Sequence, residues 1–184
     1  MFNSLRDIDL QQLKRKHARL YYFGLGFIQL KIDETWRLHF YSPELLAITE
    51  DTHNHRYNFE SKILKGKLKN KLYRVDTREN DWQEFTHKIT NESCNVEIEA
   101  PSLEIPCYSW LDKETVYKEG DSYTVNHNDF HRVEATNCIT LLKRSEYTKE
   151  FAQVVLPKES EGICPFSKRV EEDKLWKIME EMLI

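Results

Sequence analysis

The sequence predicts a mainly β protein of one domain, a sandwich or barrel flanked by a helix at each end. In the middle of the chain Trp36, Leu38 and Phe40 alternate with polar neighbours, which is the two-residue period of a half-buried strand. Clusters of turn-forming residues, such as 119–121, divide this region into many short segments, which is typical of sandwiches and barrels. A length of 184 residues suits one compact domain with a hydrophobic core, residues 1–184.

Apolar residues at helical spacing mark both ends of the chain. A helix is predicted over residues 7–20, with Asp7 as its N-cap. A second is predicted over residues 168–184, and its Trp176 and Met179 face is expected to dock on the β region. The β region spans residues 25–156. Beyond the strand at Trp36, its predicted strands are 59–64, 71–75, 94–99, 115–118, 122–125 and 138–142.

The composition limits the classes of partner. The formal net charge of −4 gives no electrostatic reason to expect nucleic acid. No apolar stretch reaches the roughly 18 residues that span a bilayer, so no membrane partner is expected. The first residues lack the apolar core of a signal peptide, which predicts a cytoplasmic location. The cysteines have no metal-ligand spacing and are predicted to be free thiols; they are Cys94, Cys107, Cys138 and Cys164.

Three histidines and one glutamate form a candidate metal site. His53 and His55 are two positions apart, so on an extended segment their side chains point to the same side. Glu60 comes five positions later, an odd offset that needs a turn at residues 56–58 to bring it to that side. With His131, the set suits Fe(II), Mn(II), Ni(II), Cu(II) or Zn(II). Alternatively, Glu60 forms a salt bridge with a lysine and His131 is a hydrogen-bonded core histidine.

Two segments around these residues resemble the motifs of the cupin superfamily. HNHRYNFESKILKG has the form HxH(x)4E(x)5G, and GDSYTVNHNDFH has the form G(x)5NxNxxH. The resemblance covers residues 36–145. Asn126 and Asn128 replace the family's proline and turn glycine, and asparagine tolerates such a turn. Three further positions depart from the motifs; they are Ala47, Gly66 (one residue early) and Ala135.

The resemblance implies a cupin-type β-barrel with flanking helices and a metal ion near its mouth. Carried over residue by residue, it makes His53, His55, Glu60 and His131 the ligands. It also implies that residues 81–117, which are long for the connection between the two motifs, add a hairpin over an edge or the mouth. Cupins often form homodimers through strand edges, so a homodimer is a further expectation.

A narrower likeness is to the cysteine dioxygenase group of cupins. The strings HNHRYNFESKILKGKL and FHRVEA are similar to that group's histidine pair and to its third histidine. Those enzymes hold Fe(II) with three histidines, bind a thiol and O2, and oxidise the sulfur to a sulfinate. The likeness makes Tyr147 a candidate catalytic tyrosine and Arg37 a candidate clamp for a substrate carboxylate. In mammalian-type members a cysteine stands in the place of Glu60. If Glu60 were a ligand here, the metal ion would have one fewer open coordination position for a thiol.

Two functions follow as expectations. The first is a metal-dependent cupin enzyme, a mononuclear non-haem iron oxygenase that acts on a small molecule with O2. The alternative is a non-catalytic cupin that binds or senses a small ligand, because one fold hosts many functions. The remaining histidines are not expected to form a site: His17, His39 and His87 lack suitable neighbours in sequence, and His127 is predicted to lie in a loop.

Overall fold

The structure is a computed structural model of the chain. It describes residues 4–16, 18–23, 25–45, 52–77, 84–89, 105–157 and 170–184. Within these ranges the protein is mainly β, with two antiparallel sheets and two α-helices. The helices are α1 Leu10–Arg15 and α2 Glu172–Leu183. The strands are β1 Arg19–Phe23, β2 Phe27–Lys31, β3 Trp36–Tyr41, β4 Thr52–His53, β5 Phe59–Lys65, β6 Lys67–Asp76, β7 Glu84–Ile89, β8 Ile105–Lys118, β9 Ser122–Val125, β10 Phe130–Ala135, β11 Cys138–Arg144 and β12 Ala152–Pro157.

The N-terminal helix is shorter than the sequence predicts. It begins after Asp9, whose side chain accepts a hydrogen bond from the backbone N–H of Gln12 at 2.8 Å, so Asp9 and not Asp7 is the N-cap. The last two residues of the predicted helix, Arg19 and Leu20, belong instead to the strand β1, which pairs with β2. β1 contains Tyr21 and Tyr22, and aromatic residues favour a strand where a neighbour can pair with them.

The first sheet has the strand order β1-β2-β3-β11-β5-β9. The second has the order β10-β4-β12-β7-β8-β6, and β6 pairs in turn with β10. This circuit closes because β8 pairs with two strands along successive stretches. Asp76 of β6 pairs with Tyr108, and Glu84 of β7 pairs with the next residue, Cys107. The strands thus form two antiparallel sheets, as in a β-sandwich, and the second sheet returns on itself only through this shared strand.

The helices and the second sheet cover opposite faces of the first sheet. On the outer face, Leu38 and Phe40 of β3 pack with Trp176 and Met179 of α2. On the inner face, residues of both sheets form a second apolar cluster; they are Tyr41, Phe59, Ile63, Leu68, Tyr123, Val125, Cys138 and Leu142. The alternation along β3 predicted one buried face, yet both faces are buried. Its polar side chains consequently lie inside the protein.

Several predicted strands lie close to the observed ones. β5, β9 and β11 begin at the predicted residues and end within two residues of the predicted ends. β6 and β8 are longer than predicted and contain the predicted segments. The predicted strand 94–99 lies outside the described residues, as do Cys94 and Cys164. Cys107 and Cys138 are buried, and burial raises the pKa of the Cys138 thiol to about 12.

Both helices of the described chain are too short or too polar to cross a bilayer.

Candidate metal centre and its cavity

The three predicted histidines meet between the sheets. His53 ends the short strand β4 and pairs with His131 of β10, and His55 follows two residues after His53. One ring nitrogen from each residue lies within 4.8 Å of the other two, so the three side chains could hold one metal ion. His131 is buried and the other two are half-buried. Strand pairing therefore brings together ligands that are far apart in sequence.

The nitrogen geometry of His55 and His131 fits a shared ion. Their Nε2 atoms are 2.8 Å apart. Metal–imidazole bonds are about 2.0–2.1 Å long, so two nitrogens at right angles on one ion are about 3.0 Å apart. Two lone pairs at such a distance would repel each other, which leaves a shared proton or a shared cation as the stable arrangement. The donor set matches the imidazole-rich sites of divalent transition metals.

Asn70 fixes the orientation of the buried ligand. Its side-chain Oδ1 lies 2.8 Å from Nδ1 of His131, and Asn70 itself is only 4% exposed. An amide oxygen accepts and does not donate, so Nδ1 carries the hydrogen and Nε2 presents its lone pair to the cluster. Metal-bound histidines typically have a hydrogen-bond partner of this kind on the second ring nitrogen. Sequence motifs gave no indication of Asn70.

Replacing Asn70 by Ala is expected to weaken metal binding about 10–100-fold, because the ring of His131 loses the acceptor that orients it. Asn70→Asp keeps an oxygen acceptor at the same place and is expected to retain most of the affinity. Competition titration against a chromophoric chelator measures both variants. Equal affinities for wild-type protein and Asn70→Ala would contradict the role of Asn70.

Burial keeps the histidines in the form that binds metal. The pKa of His55 lies well below its usual range, chiefly because the ring is desolvated by burial and secondly because His53 and His131 are close to it. The pKa of His131 is lowered in the same way, chiefly by desolvation and secondly by the nearby His53. The neutral imidazole is the metal-binding form, so these rings need not release a proton at neutral pH to bind an ion.

A cavity of about 240 Å³ opens beside the three histidines. Its volume corresponds to about eight water molecules, which suits a small ligand. The apolar part of its wall includes Leu25, Phe27, Phe59 and Leu142. The ring of Phe59 lies 4.9 Å from that of His55, centroid to centroid, and so separates the cluster from the apolar core. The other lining residues are His39, Tyr41, His53, His55, Tyr123, His131, Arg132, Val133, Glu134 and Ala135.

Glu60 lies apart from the histidine cluster. Its side chain is exposed, whereas its neighbours in β5, Phe59 and Ser61, face the interior. Glu60 is the second residue of the strand, and side chains alternate along a strand, so Glu60 points away from the side that Phe59 faces. The prediction of Glu60 as a fourth ligand is therefore corrected: the structure brings three ligands together and not four.

Arg37 and Tyr147 also differ from the predicted catalytic roles. Arg37 is buried, but it is not among the described residues that line the cavity, and its guanidinium donates to Gln29 and to the hydroxyl of Tyr57. Tyr147 is 43% exposed. Its ring contacts the guanidinium groups of Arg56 and Arg144, which lie 4.2 and 4.4 Å from the ring centroid. This tyrosine lies at the surface, outside the cavity lining.

His39 is a cavity residue that the sequence did not indicate. It lies on the inner face of β3, lines the cavity and is only 9% exposed. Its Nε2 lies 3.2 Å from Oε1 of Gln29 on the neighbouring strand. The available signal was the run of polar and aromatic residues at alternate positions of β3, Arg37, His39 and Tyr41, which is unusual for a solvent-facing side.

No protein-family model matches the chain, and no curated protein sequence matches it.

Proposed function

We propose that this protein is a metal-dependent cupin-type enzyme, a mononuclear non-haem iron oxygenase similar to the thiol dioxygenases. The observation that carries the proposal is the convergence of His53, His55 and His131 at the wall of a small cavity. The predicted motifs place these same residues in the ligand positions of a cupin. The circuit of paired strands in the second sheet and the flanking helices are compatible with a cupin barrel.

Three imidazole ligands leave coordination positions open. Glu60 lies outside the cluster, so it does not compete for a position. Fe(II) suits the proposed chemistry, and Mn, Ni, Cu and Zn are alternatives for an imidazole site. The ion would supply adjacent positions for a thiolate and O2, which could react as RSH + O2 → RSO2H.

The chain's own groups provide the setting for such a reaction. The ring of Phe59 packs on both His55 and His131, at centroid distances of 4.9 and 5.8 Å, and holds the ligand rings in place. Asn70 sets the tautomer of His131. The apolar wall limits the entry of water, which strengthens electrostatic interactions at the site and protects a reactive species from hydrolysis.

A second candidate is a non-catalytic protein that binds a small molecule. The observation that favours it is the small, largely apolar cavity, which would bind a ligand with or without turnover. The surface location of Tyr147 also leaves the site without the tyrosine that assists in the thiol dioxygenases.

Oxygen uptake distinguishes the two functions. We expect the full chain, loaded anaerobically with one Fe(II), to consume O2 in the presence of a small thiol and to form the sulfinate. His53→Ala should lose this activity. His127→Ala should keep it, because His127 contacts Asn58 and is not part of the cluster. Uptake no faster than that of free Fe(II) with thiol, from protein that has bound its iron, would contradict the oxygenase function and favour the binding function.

A further inference from the structure

The polar wall of the cavity consists of uncharged groups and one ion pair. Burial raises the pKa values of the Tyr41 and Tyr123 phenols, which are therefore neutral at pH 7. The charged residues among the described lining are Arg132 and Glu134, and they face each other at 3.5 Å between Nη2 and Oε1. Glu134 also pairs with Lys71. The positive side chain of the described wall therefore already has a carboxylate partner, which weakens its attraction for an anionic ligand.

Arg37 determines which nitrogen of His39 carries the hydrogen. Its Nη1 donates to Oε1 of Gln29 at 3.2 Å, so the amide oxygen of Gln29 must face Arg37. The same oxygen lies 3.2 Å from Nε2 of His39. An oxygen that already accepts from a guanidinium can only accept again, so Nε2 of His39 carries a hydrogen. Nδ1 is left with its lone pair.

Nδ1 of His39 is consequently an acceptor without a partner. His39 lines the cavity, and within the described residues its only hydrogen-bond partner is Gln29, through Nε2. Its pKa is lowered to about 3, by burial first and by the nearby Arg37 second, so the ring stays neutral. Nδ1 is not one of the fully buried side-chain atoms that lack a partner, so it is open to the cavity, where a ligand can donate a hydrogen bond to it.

We propose that the cavity binds a small uncharged molecule whose hydroxyl group donates a hydrogen bond to Nδ1 of His39. A carboxylate group is excluded from this position, since it has no hydrogen to donate and would face the lone pair of Nδ1. Arg37 is then a positioning residue that acts through Gln29. The inference rests on the proposed function only where it treats this molecule as the substrate; the binding itself needs no metal.

Three probes of similar size test this in metal-free, full-length protein. Phenol is neutral and donates, toluene has the same shape without a donor, and benzoate is an anion. A cavity of about 150 Å³ takes benzene, so the cavity here has room for all three. Each is titrated into wild-type protein, His39→Phe and the control His127→Phe, with ¹⁵N-histidine NMR of the ring nitrogens as a second readout.

We expect His39→Phe to weaken phenol binding about three- to tenfold, which corresponds to the loss of one hydrogen bond. Its affinity for toluene should stay within about twofold of that of the wild-type protein. Benzoate should bind wild-type protein at least about tenfold more weakly than phenol. The Nδ1 resonance of His39 should move with phenol and stay with toluene, a readout that holds even if the variant does not fold.

The inference would be overturned if phenol did not bind, or if benzoate bound as tightly as phenol. It would also be overturned if His39→Phe lost affinity for phenol and toluene equally, or if bound phenol left the Nδ1 resonance unmoved. Failure of the proposed function has a different signature. Phenol would bind through His39 as expected, while Fe(II) and the other divalent ions would not bind to the three histidines.

Discussion

His131→Ala is expected to lower the affinity for a divalent ion more than a hundredfold. Loss of an orienting partner alone costs about 10–100-fold, and this substitution removes the ligand nitrogen itself. His131 is also the most buried of the three ligands, at 2% exposed, so no other described side chain is placed to replace it without a change in the strands. Isothermal titration with Zn(II), and with Fe(II) under anaerobic conditions, measures the loss.

His127→Ala is the matched control for this prediction. His127 lies four positions earlier in sequence, and its ring and backbone N–H both contact Asn58. It is not one of the three clustered histidines. The control should therefore bind the ion like the wild-type protein. If the two variants lose affinity equally, metal binding depends on the fold of this loop and not on the imidazole of His131.

Metal-free protein is expected to lose at least about 2 kcal/mol of unfolding free energy between pH 7 and pH 5. The pKa of His39 falls from 6.5 to about 3 on folding, chiefly because the ring is buried, and the pKa values of His55 and His131 are also lowered. Between those pH values the unfolded chain binds protons that the folded chain does not, so acid favours unfolding. His39 alone accounts for about 2 kcal/mol at pH 5, at about 1.4 kcal/mol per pH unit below 6.5.

Urea unfolding at pH 7, 6 and 5 measures this loss. His39→Gln should flatten the dependence of unfolding free energy on pH, because one proton-binding difference is removed. Ile139→Val is the control: Ile139 is fully buried in the outer apolar cluster, on the other face of the first sheet, so the variant loses stability but keeps the full pH dependence. A wild-type protein equally stable at pH 7 and pH 5 would show that these histidines are not buried in the neutral form.

The clustering of the three histidines could be predicted because its signal is local. The two-residue spacing of His53 and His55 fixes their common side on an extended chain, and the turn before His131 places that ring at the start of β10. Glu60 was misassigned because the face of β5 on which its side chain lies depends on where the strand begins. A shift of one residue moves the side chain to the opposite face. The sequence pattern does not determine that boundary.

The orienting residues could not be predicted because they depend on strand neighbours. Gln29 meets His39 only because β2 pairs with β3 in that register, and Asn70 meets His131 only across β6 and β10. The polar side of β3 was also misjudged. A strand with alternating polar residues predicts one face in solvent, and only the position of the second sheet shows that this face is the wall of a buried cavity.

X-ray absorption at the metal edge tests the central claim most directly. The full chain, titrated with one equivalent of Zn(II), should bind a single ion with three imidazole nitrogens at about 2.0–2.1 Å. A variant in which His53, His55 and His131 are all replaced by Ala should lose that signal. No bound ion, or a spectrum unchanged in the triple variant, would contradict a metal centre formed by these three residues.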